Sequence, residues 1–182
     1  MEIIKTPIKD LVIIKPRVFE DARGYFYESY NEEKYREAGI GIRFCQDNQS
    51  KSSYGVIRGL HYQLNPFSQT KLVSAVVGSV WDVAVDLRKE SPTFGQWYGV
   101  ELSAENHLQF LIPQGFAHGF SVLTETAVFA YKCDNFYNPT LERGIDFSDP
   151  LLNIDWKIPA DKAQISDKDK KHPGFIQAEK NF

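Results

Sequence analysis

The chain has little of what marks several protein classes. Its only cysteines, Cys45 and Cys133, lie far apart and match no metal or redox spacing. A disulfide framework or thiolate zinc site is therefore not expected, and two reduced thiols in a cytoplasm is the simple reading. No apolar run approaches the ~18 residues of a membrane span. The start, Met1-Glu2-Ile3-Ile4-Lys5-Thr6-Pro7, lacks the apolar core of a signal peptide. There is no long basic block, and the net charge is −3. A nucleic-acid backbone needs a concentrated basic face, so nucleic acid is not an expected partner. A small anion needs only two or three arginines and stays open. Histidine is scarce too: His61, His107, His118 and His172, no two close in sequence. Barrels that hold iron or manganese often use two histidines one residue apart. Here Gly59 and Gln63 stand two before and two after His61, so no metal is expected, although His61 and His118 could meet in space.

What is present reads as β structure. With 182 residues the default is one compact domain over 1–182. Val80–Leu87 alternates, with Trp81, Val83, Val85 and Leu87 on one face. Lys71–Val77 is apolar and β-branched, and Gly78-Ser79 between the two suits a two-residue type II′ hairpin turn. Further strands are expected at Gln96–Leu102, His107–Ile112, Gly119–Leu123 and Val128–Cys133. Short strands at this spacing indicate a sandwich or barrel, with a jelly roll the expected form. Helices are few. Asn31–Ala38 fits one, with Asn31 as N-cap and Gly39 as stop, and Ser166 suits the cap of a short C-terminal helix. Residues 1–50 and 150–182 read as arms on the β core.

The mouth of such a fold is a natural small-molecule site. Strict alternation over 57–63 puts Ile57, Gly59, His61 and Gln63 on one face and Arg58, Leu60 and Tyr62 on the other. A lone strand histidine is most often structural. Here Arg58 and His61 flank a glycine that permits close backbone approach, and a hairpin-like return would bring Lys71 near His61. This polar set suggests proton transfer next to a ketone. Imidazole suits proton removal near neutrality, a lysine ammonium can stabilise the enolate as it forms, and a tyrosine such as Tyr131 can deliver a proton from the opposite face. A carboxylate on the other ring nitrogen would fix the tautomer of His61, and Asp82, Asp86, Asp167 and Asp169 could each serve.

Taken together, the segments Phe19–Glu28, Gln46-Asp47-Asn48-Gln49-Ser50, Arg58–Gln63, Lys71-Leu72-Val73, Val85-Asp86-Leu87-Arg88, Pro113–Phe120, Tyr131-Lys132-Cys133 and Ser166–Asp169 resemble the dTDP-4-dehydrorhamnose 3,5-epimerase family of the rhamnose pathway. The resemblance spans most of the chain, in order. It implies a mainly β, cupin-like jelly-roll barrel with a few short helices. It also implies a cytoplasmic homodimer in carbohydrate biosynthesis, working without metal or coenzyme on dTDP-4-dehydro-6-deoxy-D-glucose. In that reading His61 is the base, Tyr131 the acid, Lys71 the group near the keto oxygen, and Asp169 the carboxylate behind the histidine, ahead of Asp86. Arg23 and Arg58 would contact the diphosphate, where bidentate geometry favours arginine. Phe26 and Tyr137 would pack on base or deoxyribose. Glu28, Gln46, Asn48, Glu142 and Lys168 would hydrogen-bond nucleotide or sugar, and His118 would lie near the sugar. Two departures stand out: Phe136 where tyrosine is frequent, and Thr70 where glycine is common. The competing readings are a mono-epimerase or 3,4-ketoisomerase of the same superfamily, a sugar-binding module without activity, and a metal-dependent oxygenase.

Overall fold

The computed structural model describes residues 1–182. Two antiparallel sheets face each other. The first runs Glu2–Lys5, Val12–Lys15, Gln109–Ile112, Lys71–Val77, Thr126–Cys133, Gln46–Ser53. The second runs Glu142–Gly144, Val56–Gln63, Phe116–Val122, Ser79–Asp86, Trp97–Ser103, with Gln164–Ile165 added parallel to the strand at 56–63. No strand belongs to both sheets, so the expected jelly roll is a two-sheet sandwich rather than a hydrogen-bonded closed ring.

The space between the sheets is filled by Val73, Phe110 and Phe129 from the first and by Val80, Ala84, Leu102 and Phe120 from the second. Each large side chain buried this way contributes ~1.5–3 kcal/mol relative to exposure. A second apolar cluster lies on the other face of the second sheet. Val83, Val85 and Leu87 there pack against Trp156, Phe175 and Ala178 of the C-terminal segment. Both faces of the strand Ser79–Asp86 are therefore covered, and its polar-looking alternate positions Asp82 and Asp86 are fully buried. The terminal segments are built into this frame. Val12–Lys15 and Gln46–Ser53 each pair along a strand of the first sheet.

The strands at 71–77 and 79–86 do not form the expected hairpin. They lie in different sheets, and Gly78 carries the chain from one to the other. Its φ of +70° and the closeness of the Thr126 carbonyl, 2.1 Å from where a Cβ would stand, explain the glycine. The positive φ suits the glycine of the expected turn, but no hairpin turn forms there, because a local signal does not say whether the two strands it joins will pair.

Strict alternation also fails in the strand Val56–Gln63. His61 stands opposite His118, but Arg58 stands opposite Phe120, so three steps on one strand match two on the other. This bulge lets Ile57, Leu60, Tyr62 and Leu64 all reach the second apolar cluster. It leaves Arg58, His61 and Gln63 to the polar side. Bulges commonly re-aim side chains in this way. Gly59 makes it possible, with φ +132°, and a Cβ there would lie 2.5 Å from the Gly119 Cα.

The helix is found at Glu32–Glu37, and the Asn31 side chain accepts the Lys34 N–H at 3.2 Å as expected of an N-cap. The C-terminal helix is only a 3-10 turn, Asp169–Lys171. The Ser166 hydroxyl accepts the Asp169 N–H at 3.1 Å, one turn ahead of it.

Candidate active site

The two sheets part at one end around a cavity of about 250 Å³. The second sheet supplies His61 and Gln63, and the first supplies Lys71, Tyr131 and Cys133. Gln46, Asn48, Tyr137 and Glu142 line its mouth. His61 also borders an adjoining open cleft of about 590 Å³, together with Arg58, Lys168 and Asp169. Lys71 does come near the histidine, but across the gap between sheets and not through a hairpin.

The carboxylate that the residues alone left open is Asp169. Its Oδ1 stands 2.9 Å from His61 Nε2, and its Oδ2 accepts the Gly59 N–H at 3.2 Å. Burial would raise this carboxyl. The hydrogen bonds from His61, Gly59 and Ser166 outweigh that and hold it below its ordinary range. Asp169 therefore stays ionised and accepts the Nε2 proton. This leaves the lone pair of His61 on Nδ1, which makes no hydrogen bond within the chain. The bulge glycine thus does two things: its conformation turns His61 inward, and its N–H helps fix the carboxylate behind the ring. The other aspartates are engaged elsewhere. Asp86 binds Arg88, Ser91 and Thr93, Asp82 binds His118, and Asp167 is exposed beside Lys170.

Opposite the dyad, the Lys71 ammonium lies 5.9 Å from the centre of the Tyr131 ring. Burial pushes Lys71 below the ordinary lysine value, while Cys133, Asp82 and Glu142 pull it back up. Burial also pushes the Tyr131 hydroxyl up, so it remains protonated at neutral pH. The site therefore presents an imidazole lone pair from one sheet, and the Lys71 amino group and a protonated phenol from the other.

His118 does not line the cavity. It is buried in the interior with its Nε2 2.9 and 3.0 Å from the two oxygens of Asp82, and burial drives both groups toward their uncharged forms. At the mouth, Glu142 accepts from the Tyr137 hydroxyl at 2.9 Å and from Lys168 at 2.5 Å. Burial favours its neutral form, but these bonds outweigh that and keep it ionised. Gln46 accepts the Tyr137 N–H at 3.1 Å and donates to Asn48 at 3.0 Å. Arg58 donates to Ser52 at 3.0 Å on the cleft side.

Besides His118, three expected binding residues, Arg23, Phe26 and Glu28, line neither this cavity nor the adjoining cleft. Arg23 and Phe26 sit on the exposed hairpin formed by Phe19–Asp21 and Gly24–Phe26. There Arg23 pairs with Asp21, and Phe26 is 66% exposed. Glu28 is bound by Lys34 and Asn31. Tyr25 and Tyr27 pack on His107 at centroid distances of 4.5 and 5.1 Å, which holds the segment against the sandwich.

Several site residues carried no role from sequence. Gln63 donates to the Phe67 and Phe136 carbonyls and accepts the Asn138 N–H, fixing the loop that presents Tyr137. Gln69 and Cys133 line the cavity, and His172 packs against His61. Gln63 was legible only as a residue that is not a histidine. Nothing in local spacing points to His172.

The dTDP-4-dehydrorhamnose 3,5-epimerase family model matches residues 5–177. A curated enzyme of that name from Shigella flexneri is 55% identical over 180 residues, covering 98% of each chain. A crystal structure of the corresponding enzyme from Elizabethkingia anophelis superposes with a TM-score of 0.92 at 61% identity, covering 97% of each chain. A dTDP-6-deoxy-D-glucose-3,5-epimerase from Legionella pneumophila, solved in complex with dTDP-4-keto-L-rhamnose, superposes with a TM-score of 0.93 at 52% identity, covering 97% of this chain and 93% of the other.

Proposed function

The chain belongs to the dTDP-4-dehydrorhamnose 3,5-epimerase family, and from that premise we propose how its cavity performs the reaction. The enzyme inverts C3 and C5 of dTDP-4-dehydro-6-deoxy-D-glucose, giving dTDP-4-dehydro-L-rhamnose. Both carbons flank the C4 ketone, so one enolate oxygen serves both inversions. His61 Nδ1 removes the proton, and Asp169 holds the ring and stabilises the imidazolium without itself being protonated. The Lys71 ammonium stabilises the developing oxyanion from the first sheet, where burial strengthens its field. Tyr131, protonated and on the opposite side, delivers the proton to the other face. The observation that carries this reading is the His61–Asp169 pair facing Lys71 and Tyr131 across one cavity.

Arg58 and Lys168, on the cleft beside His61, suit the diphosphate. Tyr137, Glu142, Gln46 and Asn48 suit the nucleoside and sugar at the mouth. His118 acts from beneath the cavity, through Asp82, rather than by touching the sugar. Arg23, Phe26 and Glu28 lie on a segment that lines neither space. Their binding role is accordingly assigned to the cavity of a second copy, which makes the working form a homodimer, each chain acting as one jelly-roll domain over residues 1–182. Exposure of Phe19, Tyr25 and Phe26 together on that hairpin supports this. The reaction runs on the chain's own side chains, and the enzyme is assigned to the cytoplasm. No helix is long and apolar enough to cross a membrane.

The purified chain, given dTDP-4-dehydro-6-deoxy-D-glucose, should yield the L-rhamno ketone by NMR. Absence of that product, or inversion at one carbon only, would overturn the assignment. Sedimentation should give twice the chain mass, and a monomer with full activity would refute the shared site.

A further inference from the structure

We propose that His61, Asp169 and His172 form an inhibitory binding site for a divalent transition-metal ion of the zinc class. One ligand atom from each residue lies within 4.8 Å of the others. Two imidazoles and a carboxylate are a donor set that suits first-row metals.

The fold assembles this set deliberately close. Asp169 and His172 sit on one turn, with the His172 N–H bonded to the Asp169 carbonyl at 3.3 Å. The third donor comes from the strand Val56–Gln63, 108 positions away from Asp169. His172 reaches it because residue 144, the register partner of His61, is glycine. A Cβ at position 144 would come within 2.2–2.5 Å of the His172 ring atoms, so any larger residue would expel the ring. Seated there, the ring meets His61 edge-on, with centroids 5.4 Å apart at 90°.

His172 Nδ1 is buried and has no hydrogen-bond partner, so a nitrogen lone pair or N–H next to the dyad is unused. Ligands of a zinc ion bonded at about 2.0–2.2 Å stand roughly 3–3.5 Å from one another. His61 and Asp169 are already at 2.9 Å, and only the separations to His172 have to shorten. The remaining coordination positions open on the cleft beside His61. Of the cations lining that cleft, Lys168 pairs with Glu142, Lys170 with Asp167, and Arg58 donates to Ser52.

Binding would block the reaction by moving one proton. To ligate through Nε2, His61 needs its lone pair there. The proton now donated to Asp169 must shift to Nδ1, and the nitrogen assigned as base then has no lone pair. No bond other than N–H and metal–ligand bonds changes. The blocking effect rests on the proposed role of His61, whereas the binding itself does not.

Cobalt and zinc titrations of the chelator-treated full chain test this. Cobalt should give visible bands of a four- or five-coordinate site, absent in His172→Ala and in His61→Asn. Zinc should inhibit epimerisation reversibly by EDTA, and His172→Ala, measured against its own zinc-free rate, should need at least about tenfold more zinc for half-inhibition. A cobalt–thiolate charge-transfer band would place the metal on Cys133 instead and refute the site. Cobalt bands unchanged in a folded His172→Ala variant, or none in the wild type, would also refute it. Bands that depend on His172 without inhibition would keep the metal site and count against His61 as base.

Discussion

Replacing Asp169 by asparagine tests the dyad with almost no change of shape. In the parent chain the carboxylate accepts from His61 Nε2 at 2.9 Å and from the Gly59 N–H at 3.2 Å. When His61 takes a proton from carbon, an imidazolium forms with its charge centre ~4 Å from the carboxylate. At an effective dielectric of ~20 that attraction is worth ~4 kcal/mol. Asparagine removes it. Its amide also favours the wrong tautomer: if the oxygen keeps the Gly59 N–H, the NH₂ group points at Nε2 and drives the proton onto Nδ1. A loss of ~4 kcal/mol is about 10³-fold in kcat, and the tautomer effect adds to it. KM should change little, because Asp169 is assigned no contact with substrate. Stopped-time NMR of the keto sugar gives kcat, and circular dichroism confirms the fold. A folded Asp169→Asn variant with kcat within about threefold of the parent would refute the assignment of both the carboxylate and the base.

Three further outcomes follow from the same geometry. Lys71→Gln should lower kcat/KM by about 10²–10³-fold, the scale of losing one preorganised oxyanion donor. Burial depresses the Lys71 pKa, so the parent should lose activity as pH rises at a lower pH than a free lysine would titrate, and the residual activity of Lys71→Gln should lack that limb. An unchanged alkaline limb in a pH profile would show that another group sets it. Tyr131→Phe should still exchange the sugar proton with solvent while product yield collapses; normal yield would remove its acid role. Gly59→Ala must hold alanine at φ +132° with its Cβ 2.5 Å from the Gly119 Cα. Strain of ~1–3 kcal/mol plus the backbone clash should lower stability in urea unfolding and disorder the dyad, and wild-type stability there would contradict the bulge argument.

The strands and their sheet-forming character were legible because apolar periodicity is local. Pairing was not. Gly78-Ser79 carries hairpin chemistry, yet the strands it joins go to different sheets, a decision made by packing over the whole sandwich. The face assignment over 57–63 failed for a similar reason. Only the register with Phe116–Val122 reveals the extra residue that puts Arg58 and His61 on one side. In Ser79–Asp86 the alternation was read correctly, but the face it marked, with Val83, Val85 and Leu87, is covered by a C-terminal segment some 70 or more positions away, while the alternate face lies between the sheets. The site was legible in its residue types: an imidazole, an ammonium and a phenol. The choice of Asp169 among four aspartates came from family resemblance, because its contact with His61 closes 108 residues of chain. His172 and Gln63 were missed on the same account. Each acts through neighbours remote in sequence, and each residue type by itself is ordinary. Arg23, Phe26 and Glu28 show the converse, since their motif is recognisable while one chain alone leaves them away from the cavity.

The central claim is that one base, oriented by Asp169, acts at two carbons of one ketone. Running the reaction in deuterated water and reading the product by NMR addresses it most directly. The account predicts deuterium at both C3 and C5 with the parent chain and at neither carbon with a folded His61→Asn variant. Label at a single carbon in the parent, or undiminished label in His61→Asn, would contradict it.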